Sequence, residues 1–100
     1  GGWKSITVSY MGLEISYWEE SDAVYSLRST TSEWYVADKL KIGQVFDVAA
    51  FEKLGPLRIE HGYLLPYYIQ SADRKDLAYC VVLVTDAMVI KELNLSFAID

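Results

Sequence analysis

Cysteine is almost missing from this chain of 100 residues: there is only Cys80, so no disulfide can close within it. There is also a single histidine, His61. One His and one Cys do not make a zinc site without further ligands at defined spacings, and no such spacing occurs. Long hydrophobic runs are missing too. The longest, residues 77–84 (LAYCVVLV), is far below the roughly 20 residues that span a membrane as a helix. Positive charge is scarce and scattered, with nine Lys and Arg against 14 Asp and Glu and a net charge of −5. A phosphate-binding surface needs clustered cations, so direct nucleic-acid binding is not expected. No glycine-rich phosphate cradle, G-x-S-x-G, H-E-x-x-H or C-x-x-C is present. The start of the chain shows no leader pattern and runs straight into alternating residues, which sets the expectation of a cytoplasmic protein.

What is present is apolar and aromatic bulk. Hydrophobic residues make up 52% of the chain and aromatics 14%, which argues for a folded core rather than disorder. A chain of this length is expected to form a single globular domain over residues 1–100. So small a domain leaves a large share of its surface exposed. Some of its large side chains are therefore expected in a pocket or a subunit interface.

The run 77–84 organises the rest. It carries no charge, Gly or Pro and suits a strand that is apolar on both faces, which makes it the expected centre of a sheet. Ahead of it, Ile6, Val8 and Tyr10 alternate with polar residues, as do Leu13, Ile15 and Tyr17. A two-residue turn at Met11-Gly12 pairs Tyr10 with Leu13, Val8 with Ile15 and Ile6 with Tyr17, placing all six on one face. A shorter strand is expected over 23–28, and strand is favoured for 33–37, although Thr30 and Glu33 also fit a capping box.

The best helix segment starts near Ile42 or Gln44 and ends at Leu54, before Gly55-Pro56, with Ile42, Val45, Phe46, Ala49 and Ala50 on one face. Extended segments 57–60 and 63–70 flank a turn at His61-Gly62, and Pro66 implies an edge or a bend in the second. Leu93, Leu95, Phe97 and Ile99 alternate in a closing strand antiparallel to 77–84, while 86–92 could instead be a short helix capped by Asp86. The expected fold is α+β: a curved, mostly antiparallel sheet of five to seven strands with one main helix, about 43–54, packed on it. A small β-barrel with a short helix is the alternative.

No catalytic, cofactor or metal residues are assigned. Cys80 lies in an apolar run, the wrong setting for a thiolate nucleophile, and His61 reads as an exposed turn residue. The carboxylates Glu19, Glu20 and Asp22 lack the offsets of a calcium loop. Enzymatic activity is therefore not expected. The composition points to a small protein-interaction module that self-associates, for example an inhibitor or immunity-type protein docking on a basic partner. Its expected contact residues are Trp18, Glu19, Glu20, Asp22, Tyr63, Tyr67 and Tyr68, because Trp and Tyr join a large apolar body to a polar tip. Two rival readings are a small-molecule binder or minor enzyme with a cavity lined by Phe46, Tyr67 and Tyr79, and a structural subunit of a larger assembly such as a viral one.

Overall fold

The computed structural model describes residues 4–34, 39–70 and 75–97, with side chains described outside 67–70 and 75–76. Seven strands form one antiparallel sheet: β1 Ser5–Tyr10, β2 Leu13–Trp18, β3 Val24–Ser29, β4 Leu57–Ile59, β5 Gly62–Gln70, β6 Lys75–Val84 and β7 Ile90–Phe97. Their order across the sheet is β1-β2-β3-β7-β6-β5-β4, and the sheet stays open. The fold is thus mostly β and not a barrel.

The opening hairpin adopts the register that its alternation dictates, with Ile6 opposite Tyr17, Val8 opposite Ile15 and Tyr10 opposite Leu13. Met11 at φ 45° and Gly12 at φ 84° give both turn residues the positive φ of a primed turn, which suits the twist of the strands. β6 runs between β5 and β7, so residues 77–84 do have the tail and the 63–70 segment as neighbours.

Pro66 lies inside β5 without breaking it. Val84 donates to the His61 carbonyl, so odd-numbered residues of β5 bond towards β6 and even-numbered ones towards β4. β4 reaches only Leu64 of β5, so the missing N–H at Pro66 faces a side with no described partner strand. The β4–β5 turn is formed by Glu60 and His61, with His61 at φ 64°, and Gly62 already begins β5. A Cβ on Gly62 would lie 2.0 Å from the Val82 carbonyl oxygen, so only glycine allows this approach of backbones.

Opposite residues in antiparallel strands share a face, so the registers trace the two sides of the sheet. One side carries Tyr63 and Leu65 on β5, Ala78, Cys80 and Val82 on β6, Leu93 and Leu95 on β7, and Leu27 and Ser29 on β3. The connection from β3 to β4 crosses this side and seals it with Leu40 and Phe46, completing the core. Phe46 packs against Phe51 and Tyr63 with ring centroids 5.4 and 5.2 Å apart. The connection is stitched to the start of β7: Gly43 donates to the Ile90 carbonyl, Ile90 to Gln44, and Phe46 to Met88. The buried Ser29 hydroxyl donates to the Thr31 carbonyl at 2.9 Å, which satisfies it inside the apolar layer.

That stitching corrects the expected helix. Gly43, Gln44 and Phe46 spend backbone groups on Ile90 and Met88, at and just before the start of β7, so the helix starts only after Asp47 and is a 3-10 helix, Val48–Leu54. Asp47 caps it by accepting from the Ala49 N–H at 3.1 Å, and Gly55 ends it at φ 65°. Its inward residues are Val48, Phe51 and Leu54, while Ala49 and Ala50 are exposed and Val45 is 68% exposed. Of the face expected from α-helical spacing, Phe46 and Ile42 do pack in the core, whereas inside the helix Val48 and Phe51 turn inward in place of Ala49 and Ala50. Residues 86–89 form a turn in which Thr85 donates to the Val89 carbonyl, not a helix. Glu33 and Trp34 are not in a strand, and the rest of the segment expected as strand, 35–37, lies outside the described residues, as do Ala98 and Ile99.

Candidate interaction surface

The described residues of the crossing connection cover only part of its side of the sheet. On β1, β2 and β3 the same side continues outward through Ile6, Val8, Tyr10, Ile15, Tyr17 and Val24. None of these six is buried, and Val8, Tyr10 and Val24 are 49%, 63% and 40% exposed. Trp34 reaches the margin, edge-on to Tyr10 with centroids 5.8 Å apart, and its indole N–H donates to the Met11 carbonyl at 3.1 Å. The result is an apolar surface over three strands, bordered by Trp34.

A second apolar area lies on the opposite side, at the other end. Leu57, Leu64 and Val81 line up across β4, β5 and β6, next to Pro66 and Tyr79. Leu57 is 61% exposed and Tyr79 41%. Among the described residues, the two apolar faces of β6 are thus covered on one side only. The hairpin extends the sheet instead of folding over the second side.

Between these areas the second side is polar. Thr7 and Ser16 share a hydrogen bond of 2.9 Å, and the Ser26 hydroxyl donates to Asn94 at 3.2 Å. Arg28 donates to Glu92 at 2.6 Å and to Glu14 at 2.9 Å, crossing three adjacent strands. These hydrogen bonds, that of Glu92 foremost, hold the guanidinium pKa above its ordinary value.

The sequence-predicted contact residues fall in two separate places. Trp18 ends β2, stacks on Tyr25 with centroids 4.6 Å apart, and adjoins the exposed turn bearing Glu19, Glu20 and Asp22. The hydroxyls of Tyr25 and Ser5 are hydrogen-bonded beside it. Tyr63 sits on β5 against Phe46, with β3, β7 and β6 between it and β2. The spacing of strands puts Tyr63 about 19 Å across the sheet from Trp18. Tyr67 and Tyr68 pair with Ala78 and Leu77 in the ladder, and their side chains lie outside the described residues. Val8 and Tyr10 are not among the expected contact residues, although the alternation of 5–10 marks them as one face. How far the covering connection reaches has no signal in the sequence.

Two clefts are lined by described residues. One, of about 280 Å³, is lined by Leu40, Phe46, Phe51 and Ile90 with Lys39 and Asp47 at its polar margin. It contains Phe46, as the cavity reading expects, but Tyr79 is on the other side of the sheet. The other, of about 240 Å³, lies among Arg58, His61, Tyr63, Thr85, Asp86 and Met88.

His61 is exposed, 3.5 Å from Glu60, and Cys80 is fully buried, so the two do not form a nucleophile pair. Burial alone pushes the Cys80 thiol up to about 12. Among the described residues no three of His, Cys, Asp and Glu gather as metal ligands, and no helix is long and apolar enough to cross a membrane. No family model, curated protein or solved structure matches this chain.

Proposed function

We propose that this chain is a non-enzymatic protein-interaction module whose main contact surface is the open apolar face of β1, β2 and β3. The observation that carries the reading is that Val8, Tyr10 and Val24 stand exposed on a contiguous apolar face bounded by Trp34.

The turn with Glu19, Glu20 and Asp22, next to Trp18, adds an acidic rim at the far end of β2. Together with the net charge of −5 it favours a basic partner, the concrete form being an inhibitor or immunity-type protein. A rim of this kind speeds encounter more than it tightens binding.

The test is quantitative affinity capture from the source cell with the wild-type chain and with Val8→Lys/Tyr10→Lys. Both positions are exposed, so the variant should keep its melting temperature. The wild type should retain a protein at near-stoichiometric yield that the variant loses. Equal retention by both would place the contact elsewhere and end the reading.

A further inference from the structure

We propose that the outer edge of β1 pairs antiparallel with β1 of a second copy of this chain, centred on Thr7. This goes beyond the interaction reading: it adds self-pairing at the strand edge to the docking of a basic partner on the apolar face.

β1 is an edge strand of six residues, SITVSY. Edge strands of stable proteins are usually protected by a charge, a proline, a bulge, shortness or a covering segment. The opposite edge, β4, is protected: it has three residues and carries Arg58. β1 has no charge and no proline, its register with β2 has no bulge, and among the described residues no strand lies beyond it.

Its free hydrogen-bonding groups can be assigned. Tyr10 and Leu13 close a two-residue turn and so form a hydrogen-bonded pair, after which bonding alternates along the ladder. The Glu19 N–H donates to the Lys4 carbonyl at 3.0 Å, which confirms that even-numbered residues bond inward. The N–H and C=O of Ser5, Thr7 and Ser9 therefore point outward.

These three residues are self-complementary about a two-fold axis at Thr7. Thr7 faces Thr7 of the second copy, and Ser5 faces Ser9 in both directions. All six outward N–H groups and carbonyls then form antiparallel bonds. The same register sets Ile6 beside Val8 of the second copy, so apolar meets apolar on one side and hydroxyl meets hydroxyl on the other. A slip of one residue would bring Ile6 against a serine or threonine and break that match. The two open apolar faces become one continuous surface across the joint.

Edge pairing of this length buries less than ~1,000 Å², and a 14-stranded sheet is near the upper end for open sheets, so the dissociation constant is expected at roughly 10–100 µM. Mutual repulsion of two chains of charge −5 makes added salt tighten the dimer.

The experiment is sedimentation equilibrium at low salt on three proteins: the wild type, Thr7→Lys and Thr7→Glu. Thr7 is exposed, so thermal melting should confirm that each variant is folded. Each variant alone should dimerise about tenfold more weakly than the wild type, because like charges face each other across the axis. An equimolar mixture should recover wild-type affinity as a 1:1 heterodimer. Variants that dimerise like the wild type, or a mixture that recovers nothing, would overturn the register. A wild type that remains monomeric at several hundred micromolar overturns self-pairing and leaves the interaction reading to its own capture test. As a second measurement, Thr7→Cys should cross-link to itself on mild oxidation faster than Ser5→Cys or Ser9→Cys, whose equivalents lie about 13 Å apart in this register. The native Cys80 is buried and stays silent.

Discussion

Cys80 is fully buried between Leu65 and Leu95 in the ladder, and no ion or base compensates for the loss of water. Its thiol, ordinarily near 9.0, is pushed up to about 12. Below pH 9 the folded and unfolded chains both hold this proton, and the stabilisation is complete. Between about 9 and 12 the unfolded chain releases the proton while the folded chain keeps it, so stability falls as pH rises, by up to ~1.4 kcal/mol per pH unit. The comparison that isolates the effect is with Cys80→Ala. Urea unfolding from pH 8 to 11 should give the variant the lower stability at pH 8 but the shallower decline. Parallel declines in the two proteins would mean that the thiol reaches water in the folded state.

At the scale of single elements, the first hairpin is built on one costly residue. Met11 is 64% exposed and holds φ 45°, a left-handed region that most non-glycine residues avoid, whereas Asn, whose short polar side chain hydrogen-bonds locally, tolerates it well. Met11→Asn keeps the backbone carbonyl that receives Trp34 and should stabilise the chain by about 1 kcal/mol, or several degrees in melting temperature. An unchanged or lower melting temperature would show that the Met11 side chain has a role of its own.

Elements of this kind also show what is legible in the sequence. Period-two alternation encodes the hairpin register and the closing strand residue by residue, because a slip of one position would turn every apolar side chain outward. The helix departs from expectation because 3.6-residue spacing does not govern 42–54. The inward residues Val48, Phe51 and Leu54 recur every three, the 3-10 period, and Asp47 is an available cap. The earlier part of that segment looks helical locally, yet its backbone is taken by Ile90 and Met88, more than 40 residues away. No local pattern encodes such a capture. Composition groups Trp18 with Tyr63, both aromatic and both in strands, and only strand order reveals that three strands separate them.

Across the whole molecule, burial is lopsided. Among the described residues the buried apolar side chains come from β5, β6, β7 and the crossing connection, with none from β1, β2 or β3. The radius of gyration, 14.1 Å, exceeds the ~13 Å usual for 100 residues, as fits a hairpin that extends the sheet. Local stability should follow this division, since the free energy of opening tracks the apolar packing that the opening disrupts. In native-state hydrogen exchange on the isolated chain, the inward-bonded amides of Ile6 and Val8 should exchange through a low-energy opening of the hairpin. The amides of Cys80, Val82 and Leu93 should be released only on global unfolding. The surface assigned to binding would then be the least stable part of the fold, and occupancy of that surface should raise the protection of Ile6 and Val8 while leaving Val82 unchanged. Raising the chain from a few micromolar to several hundred should raise the same protection by self-pairing at the β1 edge, which steadies the hairpin while leaving the apolar face open. Uniform protection from β1 to β7 at low concentration would show that the open face needs no partner to be stable, and the link between exposed apolar surface and binding would lose its physical basis.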